Sequence, residues 1–417
     1  MPMNRFEGNN IDVPAIEGGP KAVTEPYGMG NKYGAEELTE LEQALVQGTL
    51  FYAHGHKVKE FCRAAEKLFG RKYCIAVSSG TAAVHTALFA LGVGPGDEII
   101  TSPITDMGSL IGILWQNAVP VFADIDLRTG NCTAGSIEAV VTLRTKAILL
   151  VHLAGYPCDM GAILALASRK GLPIIEDCAQ SYMAEYRGKV VGTFTELAAW
   201  SMNDFKHISA GEAGFILTDD ERLAHDAASF ADKYYQRDPD VRIPAKLGMN
   251  YRISELQGAV ALAQLRKLPW IVDTRRKLGE ALLEGLRSMP GLHPLEAPEG
   301  GRASYLGFFV RVDEKVVGIS ARRFAEALQA EGVRCSFGHT GIPVYEYPVF
   351  RDQAFFPGHT GLAFESDPPQ RYMPGLCPNA EEWLRTVVGL EMSEFYTMRN
   401  IGEILGAFRK LCNWYIK

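Results

Sequence analysis

The sequence has 417 residues, of which 47% are hydrophobic and 22% are charged, and its formal net charge is −7. This length exceeds what one ordinary hydrophobic core supports, so we expect two domains. No run of Lys and Arg stands out, which argues against a nucleic-acid partner. The opening MPMNRFEGNN lacks the apolar stretch of a signal peptide, and no segment approaches the roughly 18 apolar residues of a membrane span. We therefore expect a cytoplasmic protein without a membrane partner.

The cysteines are scattered and form no C-x-x-C pair, although there are 8 of them. Several stand inside apolar runs such as KYCIAV, which is typical of buried free thiols in a reducing compartment. No pair of ligand residues has the spacing of a structural zinc site. We therefore predict no disulfide and no metal.

Residues 1–34 are rich in Gly, Pro and Asn, which predicts an N-terminal arm. Two helical patterns with apolar residues at 3–4 spacing follow, AEELTELEQALVQG and KVKEFCRAAEKLFG. Helices then alternate with short apolar segments that predict seven strands. These strands are expected at 73–77, 98–103, 119–125, 146–152, 172–177, 197–201 and 214–219.

Apolar strands separated by helices predict an α/β domain with a mostly parallel seven-stranded sheet covered on both faces. With a long helical region at 252–288, this large domain should span residues 35–289. Beyond a Pro/Gly-rich joint, SYLGFFVRV predicts a strand and SARRFAEALQAEG a helix. An aromatic-rich loop region at 337–378 and two helices, PNAEEWLRTVVG and YTMRNIGEILGAFRKL, complete a smaller α+β domain over 290–417.

Ligands of parallel sheets bind at the carboxyl ends of the strands, so the residues that follow each strand are the first candidates. Ser79, Gly80 and Thr81 lie between a strand and a helix in SSGTAAVH. A glycine there lets backbone N–H groups approach an anion at the positive end of the helix. The alternative is an ordinary Ser/Gly turn that caps the helix.

Three further segments have polar residues at such positions. Asp177 ends an apolar strand in IIEDCAQS, where it is either a turn cap or a buried carboxylate that needs a cationic partner. Lys206 lies in WSMNDFKHISAGEAG, five residues after a strand and before a Gly-rich turn. It is either a solvated loop lysine or an amine at the sheet edge. The third segment, GMNYRISELQGA, comes just before a helix and is either its cap or part of the site.

In this order the small-Gly-Thr turn, E-D-x-A-Q, S-x(4)-K-x(4)-G-E-x-G and N-Y-R-x-S-E resemble the DegT/StrS family of sugar aminotransferases. The resemblance covers about residues 20–415. It implies an enzyme of PLP fold-type I, with pyridoxal 5′-phosphate (PLP) and its amino form (PMP) as the cofactor. It also implies that Lys206 holds the cofactor as a Schiff base and that Asp177 keeps the pyridine nitrogen protonated.

The resemblance assigns the remaining cofactor contacts as well. Gln180 matches a residue beside the ring. Ser79, Gly80 and Thr81 match the phosphate-binding turn, and Ser201 adds a hydroxyl. Asn250 matches an asparagine that reaches the phosphate of the neighbouring subunit, which implies a homodimer with shared active sites.

Two segments depart from the family pattern. In SPITDMGS, Asp106 stands where relatives usually have an aromatic residue that stacks on the PLP ring. It either contacts cofactor or substrate, or caps the following helix. Near the C-terminus, Ser393–Phe395 replaces a stretch where relatives often have His and Pro, so substrate recognition is expected to differ there.

Four residues are further candidates for substrate binding. Arg252 can pair with the donor carboxylate in a bidentate manner, and Tyr251 precedes it. His207 follows the candidate lysine, and Tyr345 lies in the aromatic segment HTGIPVYEYPVF, where its alternative is core packing.

The resemblance implies ping-pong transamination from glutamate or glutamine to a keto-sugar, a keto-cyclitol or a keto-sugar acid. One alternative is a PMP-dependent sugar dehydratase of the same family, in which histidine replaces the lysine. The other is a non-catalytic binding or regulatory protein, which would have lost Lys206 or Asp177.

Overall fold

The computed structural model describes residues 12–235, 237, 242–359, 361 and 372–416. Parts of the predicted arm (1–11) and of the predicted loop region (362–371) therefore lie outside the described residues. The helices are α1 (Ala35–Val46), α2 (Lys57–Phe69), α3 (Gly80–Ala90), α4 (Gly108–Trp115), α5 (Ala134–Ala139), α6 (Met160–Lys170), α7 (Glu221–Ala231), α8 (Glu255–Arg287), α9 (Glu314–Val317), α10 (Ala321–Ala330), α11 (Pro348–Arg351), α12 (Pro378–Thr386) and α13 (Met398–Tyr415). The strands are β1 (Tyr73–Val77), β2 (Glu98–Thr101), β3 (Val119–Phe122), β4 (Thr145–Val151), β5 (Ile174–Asp177), β6 (Glu185–Tyr186), β7 (Lys189–Val190), β8 (Leu197–Ser201), β9 (Gly214–Thr218), β10 (Leu292–Pro294), β11 (Gly301–Arg302), β12 (Gly307–Val312), β13 (Cys335–Phe337) and β14 (Val387–Glu391).

The large sheet has seven strands in the order β1-β9-β8-β5-β4-β2-β3. Strands β3, β2, β4, β5 and β8 are parallel, whereas β9 runs antiparallel to both of its neighbours. Every residue of β5 and β8 is buried, as expected for strands with helices on both faces. The predicted mostly parallel sheet is therefore present, and Asp177 and Ser201 end neighbouring strands at the same edge.

Helices cover this sheet as the apolar patterns require. Helix α3 packs on β8 and β9 and also contacts α4 and α7, while α2 packs against the long helix α8. Ser254 begins α8 with a capping box. Its hydroxyl oxygen accepts a hydrogen bond from the backbone N–H of Gln257, and the side chain of Gln257 accepts one from the backbone N–H of Ser254. The helical region predicted at 252–288 is thus one continuous helix.

The C-terminal part contains an antiparallel sheet in the order β10-β12-β14-β13. The sequence predicted one strand here, and the helix predicted through residue 389 was wrong beyond Thr386. The β-branched residues Val387 and Val388 are instead buried in β14, which pairs with both β12 and β13. Long-range pairing of this kind outweighs a local helical pattern. The domain boundary at 289/290 stays a prediction.

Two expectations about the whole chain can be compared with the structure. All eight cysteines are described, and all are free thiols. Among the described residues, no helix combines the length and the apolar character that crossing a bilayer requires.

We expect Gly279→Ala to destabilise the protein. A Cβ atom there would lie 2.5 Å from Cγ of the buried Tyr305 ring, which links α8 to the C-terminal part. Overpacking of this kind costs about 1–3 kcal/mol, seen as a lower urea midpoint. Gly402→Ala in α13 is the matched control, because its Cβ would meet nothing within 4 Å. The control should be neutral or stabilising by up to about 1 kcal/mol. Equal midpoints for the two variants would contradict this interpretation.

Candidate active site

A cavity of about 530 Å³ opens at the carboxyl edge of the large sheet. Its walls combine residues that follow β1, β2, β5 and β8 with a loop of the C-terminal part. The lining residues are Ser79, Gly80, Thr81, Val84, Thr105, Asp106, Met107, Gly108, Ser109, Asp177, Ala179, Gln180, Ser201, Asn203, Phe205, Lys206, Glu212, Leu306, His339, Thr340 and Tyr347.

The turn before α3 caps the helix, as one interpretation of the sequence predicted, while its predicted role in anion binding stays a prediction. Ser79 is the N-cap, and its hydroxyl accepts a hydrogen bond from the N–H of Ala82 at 3.0 Å. A Cβ atom on Gly80 would lie 2.5 Å from Cβ of Ser201, so only glycine permits this close approach. The start of α3 therefore faces the cavity without a side chain at position 80, which leaves backbone N–H groups accessible to an anion.

Asp177 ends β5 as a buried carboxylate with 4% of its surface exposed. Its Oδ2 accepts a hydrogen bond from the hydroxyl of Ser109 at 2.7 Å, and its Oδ1 accepts one from the N–H of Ala179 at 3.1 Å. Burial raises the pKa of Asp177 above its usual value, and these two hydrogen bonds oppose the rise. Among the described residues the carboxylate forms no ion pair, so it could hold a cationic group.

Lys206 lies on the loop between β8 and β9. Burial lowers the pKa of its amine below the usual value for lysine, while Asp177 and Asp106 act in the opposite direction. The amine forms no hydrogen bond or ion pair with any described residue. It can therefore act as a nucleophile or base more readily than a solvated lysine.

Three more candidate residues line the same cavity. Gln180 accepts a hydrogen bond through Oε1 from the N–H of Ala154 at 2.8 Å, so its amide NH₂ group points elsewhere. Ser201 Oγ touches the Gly80 turn. Asp106 Oδ1 accepts from the N–H of Gly108 at 2.8 Å, which means that it supports the first turn of α4 and also faces the cavity.

Asn250, Tyr251 and Arg252 do not reach this cavity within one chain. Asn250 is exposed, and the Tyr251 hydroxyl lies 2.9 Å from Nδ1 of His85. The guanidinium of Arg252 forms an ion pair with Asp232 at 2.5 Å and lines a second cavity of about 370 Å³. The predicted reach of Asn250 into a neighbouring subunit stays a prediction, and the substrate contacts predicted for Tyr251 and Arg252 do not arise in this cavity.

For His207 and Tyr345 the structure contradicts substrate contact in this cavity. His207 is fully buried, and its Nε2 lies 3.0 Å from the backbone carbonyl oxygen of Ser304. Tyr345 is fully buried in a 3-10 turn, and its hydroxyl donates to Glu381 at 2.6 Å. Tyr347, two residues farther along the chain, lines the cavity in its place.

Sequence reasoning missed the contributions of Ser109, His339 and Thr340. Ser109 lies in the first turn of a helix that follows a strand, so the rule for carboxyl ends could have indicated it. The loop that supplies His339 and Thr340 follows β13, a strand that the sequence did not predict. No local pattern indicated that this loop returns to the large sheet.

His152, Glu176 and Cys178 form a compact buried group whose side-chain atoms could hold a metal ion. The carboxylate of Glu176 is, however, bonded to His152 at 3.2 Å and accepts three more hydrogen bonds from residues 192–195. Nδ1 of His152 also accepts one from a backbone N–H. The atoms of Glu176 and His152 that could bind a metal are therefore already hydrogen-bonded, and we interpret the group as a structural hydrogen-bond network at the ends of β4 and β5.

Comparison with known proteins places the chain in a family. The model of the DegT/DnrJ/EryC1/StrS aminotransferase family matches residues 31–408. The chain belongs to this family. The predicted resemblance is thereby confirmed, and so is the enzyme class, since the aminotransferases of this family are PLP-dependent.

Individual members of the DegT/DnrJ/EryC1/StrS family are similar over most of their length. The spore coat polysaccharide biosynthesis protein SpsC of Bacillus subtilis (strain 168) is 35% identical over 335 residues, which cover 77% of this chain and 84% of SpsC. A relative from Streptoalloteichus tenebrarius is 34% identical over 351 residues, covering 82% of each chain. Its name proposes an L-glutamine:3-amino-2,3-dideoxy-scyllo-inosose aminotransferase.

The fold is shared as well. The solved structure of an aminotransferase from Psychrobacter cryohalolentis superposes with a TM-score of 0.83 at 27% identity, and the match covers 94% of this chain and 100% of that chain. The predicted PLP fold-type I architecture is therefore confirmed.

We expect Asp106→Asn to lower the pKa of Lys206 further, because the carboxylate of Asp106 favours the ammonium form. Competitive acetylation of the cofactor-free protein across pH, read by peptide mass spectrometry, measures this change. Asp352→Asn is the control, because it removes an exposed carboxylate that is bonded to Arg351, and it should leave the titration of Lys206 unchanged. An unchanged or raised pKa of Lys206 in Asp106→Asn would show that the carboxylate at position 106 does not act on the amine.

Proposed function

We propose that this protein uses PLP to transfer an amino group from glutamate or glutamine to a keto-sugar, a keto-cyclitol or a keto-sugar acid. One observation carries the proposal. Lys206 and Asp177 line the same cavity, and each carries a charge that affects the pKa of the other. PLP requires an amine at its aldehyde carbon and a carboxylate at its ring nitrogen, and one cavity supplies both.

The residues present fit PLP at three points. The glycine at position 80 leaves the start of α3 accessible to a phosphate, with hydroxyl groups from Ser79, Thr81 and Ser201 nearby. Asp177 is a buried carboxylate without a cationic partner among the described residues, and a protonated pyridine nitrogen would be that partner. The NH₂ group of Gln180 donates to no other described residue, so it is available to an oxygen of the ring.

When bound, PLP supplies a cationic ring that stores the electron pair released from the donor. Asp177 would hold the proton on the ring nitrogen, because its carboxylate loses its desolvation cost only beside a cation. Lys206 would take the proton from the α-carbon of the donor, for which its lowered pKa provides an unprotonated amine. In the second half-reaction the same amine would return a proton to the acceptor carbon.

The acceptor class follows from the polar character of the outer cavity. Thr340, Tyr347 and Glu212 offer hydroxyl and carboxylate groups to a polyhydroxylated ring. Polysaccharide biosynthesis is named for one relative and a cyclitol substrate for another, which supports an acceptor of this chemistry. The carboxylate of Asp106, where the family resemblance implies an aromatic residue, would offer the bound ring or substrate a further polar group.

We propose that the active unit is a homodimer in which Asn250 enters the cavity of the neighbouring subunit. The described residues 242–250 are exposed apart from the half-buried Gly248, and they include Ile243 and Leu247 at 80% and 90% exposure. Phe205, in the loop that carries Lys206, is 86% exposed. Apolar side chains this accessible favour burial against a second copy.

The two alternatives have less support. In the sugar dehydratases of this family a histidine replaces the lysine, whereas Lys206 is present and His207 lies buried outside the cavity. A non-catalytic homologue would have lost Lys206 or Asp177, and both line the cavity.

Spectroscopy of the purified protein with PLP tests the function. Visible absorbance should appear on binding, disappear with glutamate or glutamine and return when a suitable keto-sugar or cyclitol is added. Lys206→Ala should lack both the visible band and turnover, while Lys277→Ala, on an exposed face of α8, should behave as the unaltered protein. A protein that binds PLP but shows no change with either donor would refute the proposal.

Mixed dimers test the shared site. Lys206→Ala and Asn250→Ala dimers, each deficient at limiting PLP, should recover roughly a quarter of the activity after subunit exchange. Half of the dimers are then mixed and half of their sites are intact. The control mixture of Lys206→Ala with Asp177→Asn should recover nothing, because both residues belong to the same cavity. Equal behaviour of the two mixtures would contradict the shared site.

A further inference from the structure

The N-terminal arm reaches the loop that carries Lys206. The ammonium group of Lys32 donates hydrogen bonds to the backbone carbonyl oxygens of Asp204 at 2.8 Å and of Lys206 at 2.9 Å. One cation thus bridges two carbonyl groups two residues apart, one of which belongs to the proposed catalytic lysine itself.

The next residue of the arm reinforces this contact. The hydroxyl of Tyr33 lies 2.6 Å from the carboxylate of Asp204 and 2.8 Å from the hydroxyl of Ser209. Ser209 also bonds the carboxylate of Asp204 at 3.2 Å, which closes a ring of hydrogen bonds within the loop. Lys32 and Tyr33 therefore hold the loop on both sides of Lys206.

The arm is itself anchored, so the contact is not that of a loose terminus. Gln264 of α8 donates to the carbonyl oxygen of Lys32 at 2.8 Å and accepts from the N–H of Ser209 at 3.3 Å. Farther back, the N–H groups of Ala15 and Ala22 donate to the carboxylate of Glu331 at 2.7 and 2.8 Å. The arm is thereby tied both to α8 and to the C-terminal part.

Resting on the proposed function, we propose that Lys32 is a positioning residue for Lys206. By holding the carbonyl oxygens of Asp204 and Lys206, its ammonium group sets the path of the loop and with it the direction of the Lys206 side chain.

The physical need for such a residue follows from the loop. Lys206 lies beyond the last hydrogen-bonded residue of β8, and its neighbour Phe205 is largely exposed, so the sheet alone does not fix the backbone there. A reaction between an amine and a carbon atom requires a narrow range of distances. Its rate therefore falls steeply when the backbone that carries the amine shifts. Hydrogen bonds from a charged donor are stronger than those between neutral groups and suit this purpose.

Hydrogen exchange of the cofactor-free protein tests the proposal without turnover. Lys32→Met keeps the backbone carbonyl that Gln264 binds but removes the ammonium group. The amide protons of Lys206, Ala210 and Gly211, which are bonded within the loop, should exchange about tenfold faster or more in this variant.

Lys59→Met is the matched control. The ammonium group of Lys59 in α2 also donates to a backbone carbonyl oxygen, that of Ala53 at 2.9 Å, but among the described residues it forms no hydrogen bond with the loop of Lys206. Its loop exchange should equal that of the unaltered protein. Unchanged loop exchange in Lys32→Met, or equal acceleration in both variants, would overturn the positioning role.

Kinetics of the PLP-loaded protein supply the second measurement. In Lys32→Met we expect kcat to fall up to about a hundredfold with little change in the KM of the donor. Lys32→Arg, which keeps a cationic donor, should recover part of the loss. An unaltered kcat in Lys32→Met would also overturn the proposal. If the unaltered protein itself fails to convert glutamate or glutamine, the proposed function fails instead, and hydrogen exchange still decides the role of Lys32.

Discussion

A carboxylate and an amine line the same cavity, and neither has an ion-pair partner among the described residues. Burial raises the pKa of Asp177 and lowers that of Lys206, because removal from water makes the charged form of each group less stable. Ser109 and the N–H of Ala179 offset part of the cost for the carboxylate. A bound cation at the carboxylate would remove the remaining desolvation cost, which suits this carboxylate and amine to a reactive role.

Strand pairing and one glycine position the residues around this cavity. Parallel pairing of β5 with β8 brings Asp177 and Ser201 to one edge, and the glycine at position 80 allows α3 to begin against the end of β8. The loop of Lys206 has no such support from the sheet. It depends on contacts that arrive from elsewhere in the chain, above all from the N-terminal arm, so the site is assembled from distant segments of sequence.

The C-terminal part completes the cavity from the other side. His339, Thr340 and Tyr347 come from the segment after β13, and they add polar groups opposite the large sheet. Ser393–Phe395, where the resemblance led us to expect a difference from the family pattern, includes Glu394, which forms a buried ion pair with Arg275 of α8 at 2.7 Å.

From local sequence patterns we could predict the seven strands of the large sheet and the candidate residues Ser79, Asp177 and Lys206 near strand ends. These follow from local apolar patterns and from the rule that parallel strands end at a common edge. The structure was needed to show that Val387 and Val388 form a strand, that Tyr347 rather than Tyr345 lines the cavity, and that Lys32 contacts the loop that carries Lys206. Those outcomes depend on which distant segments pair and pack, and such contacts leave no periodic pattern in the residues that make them.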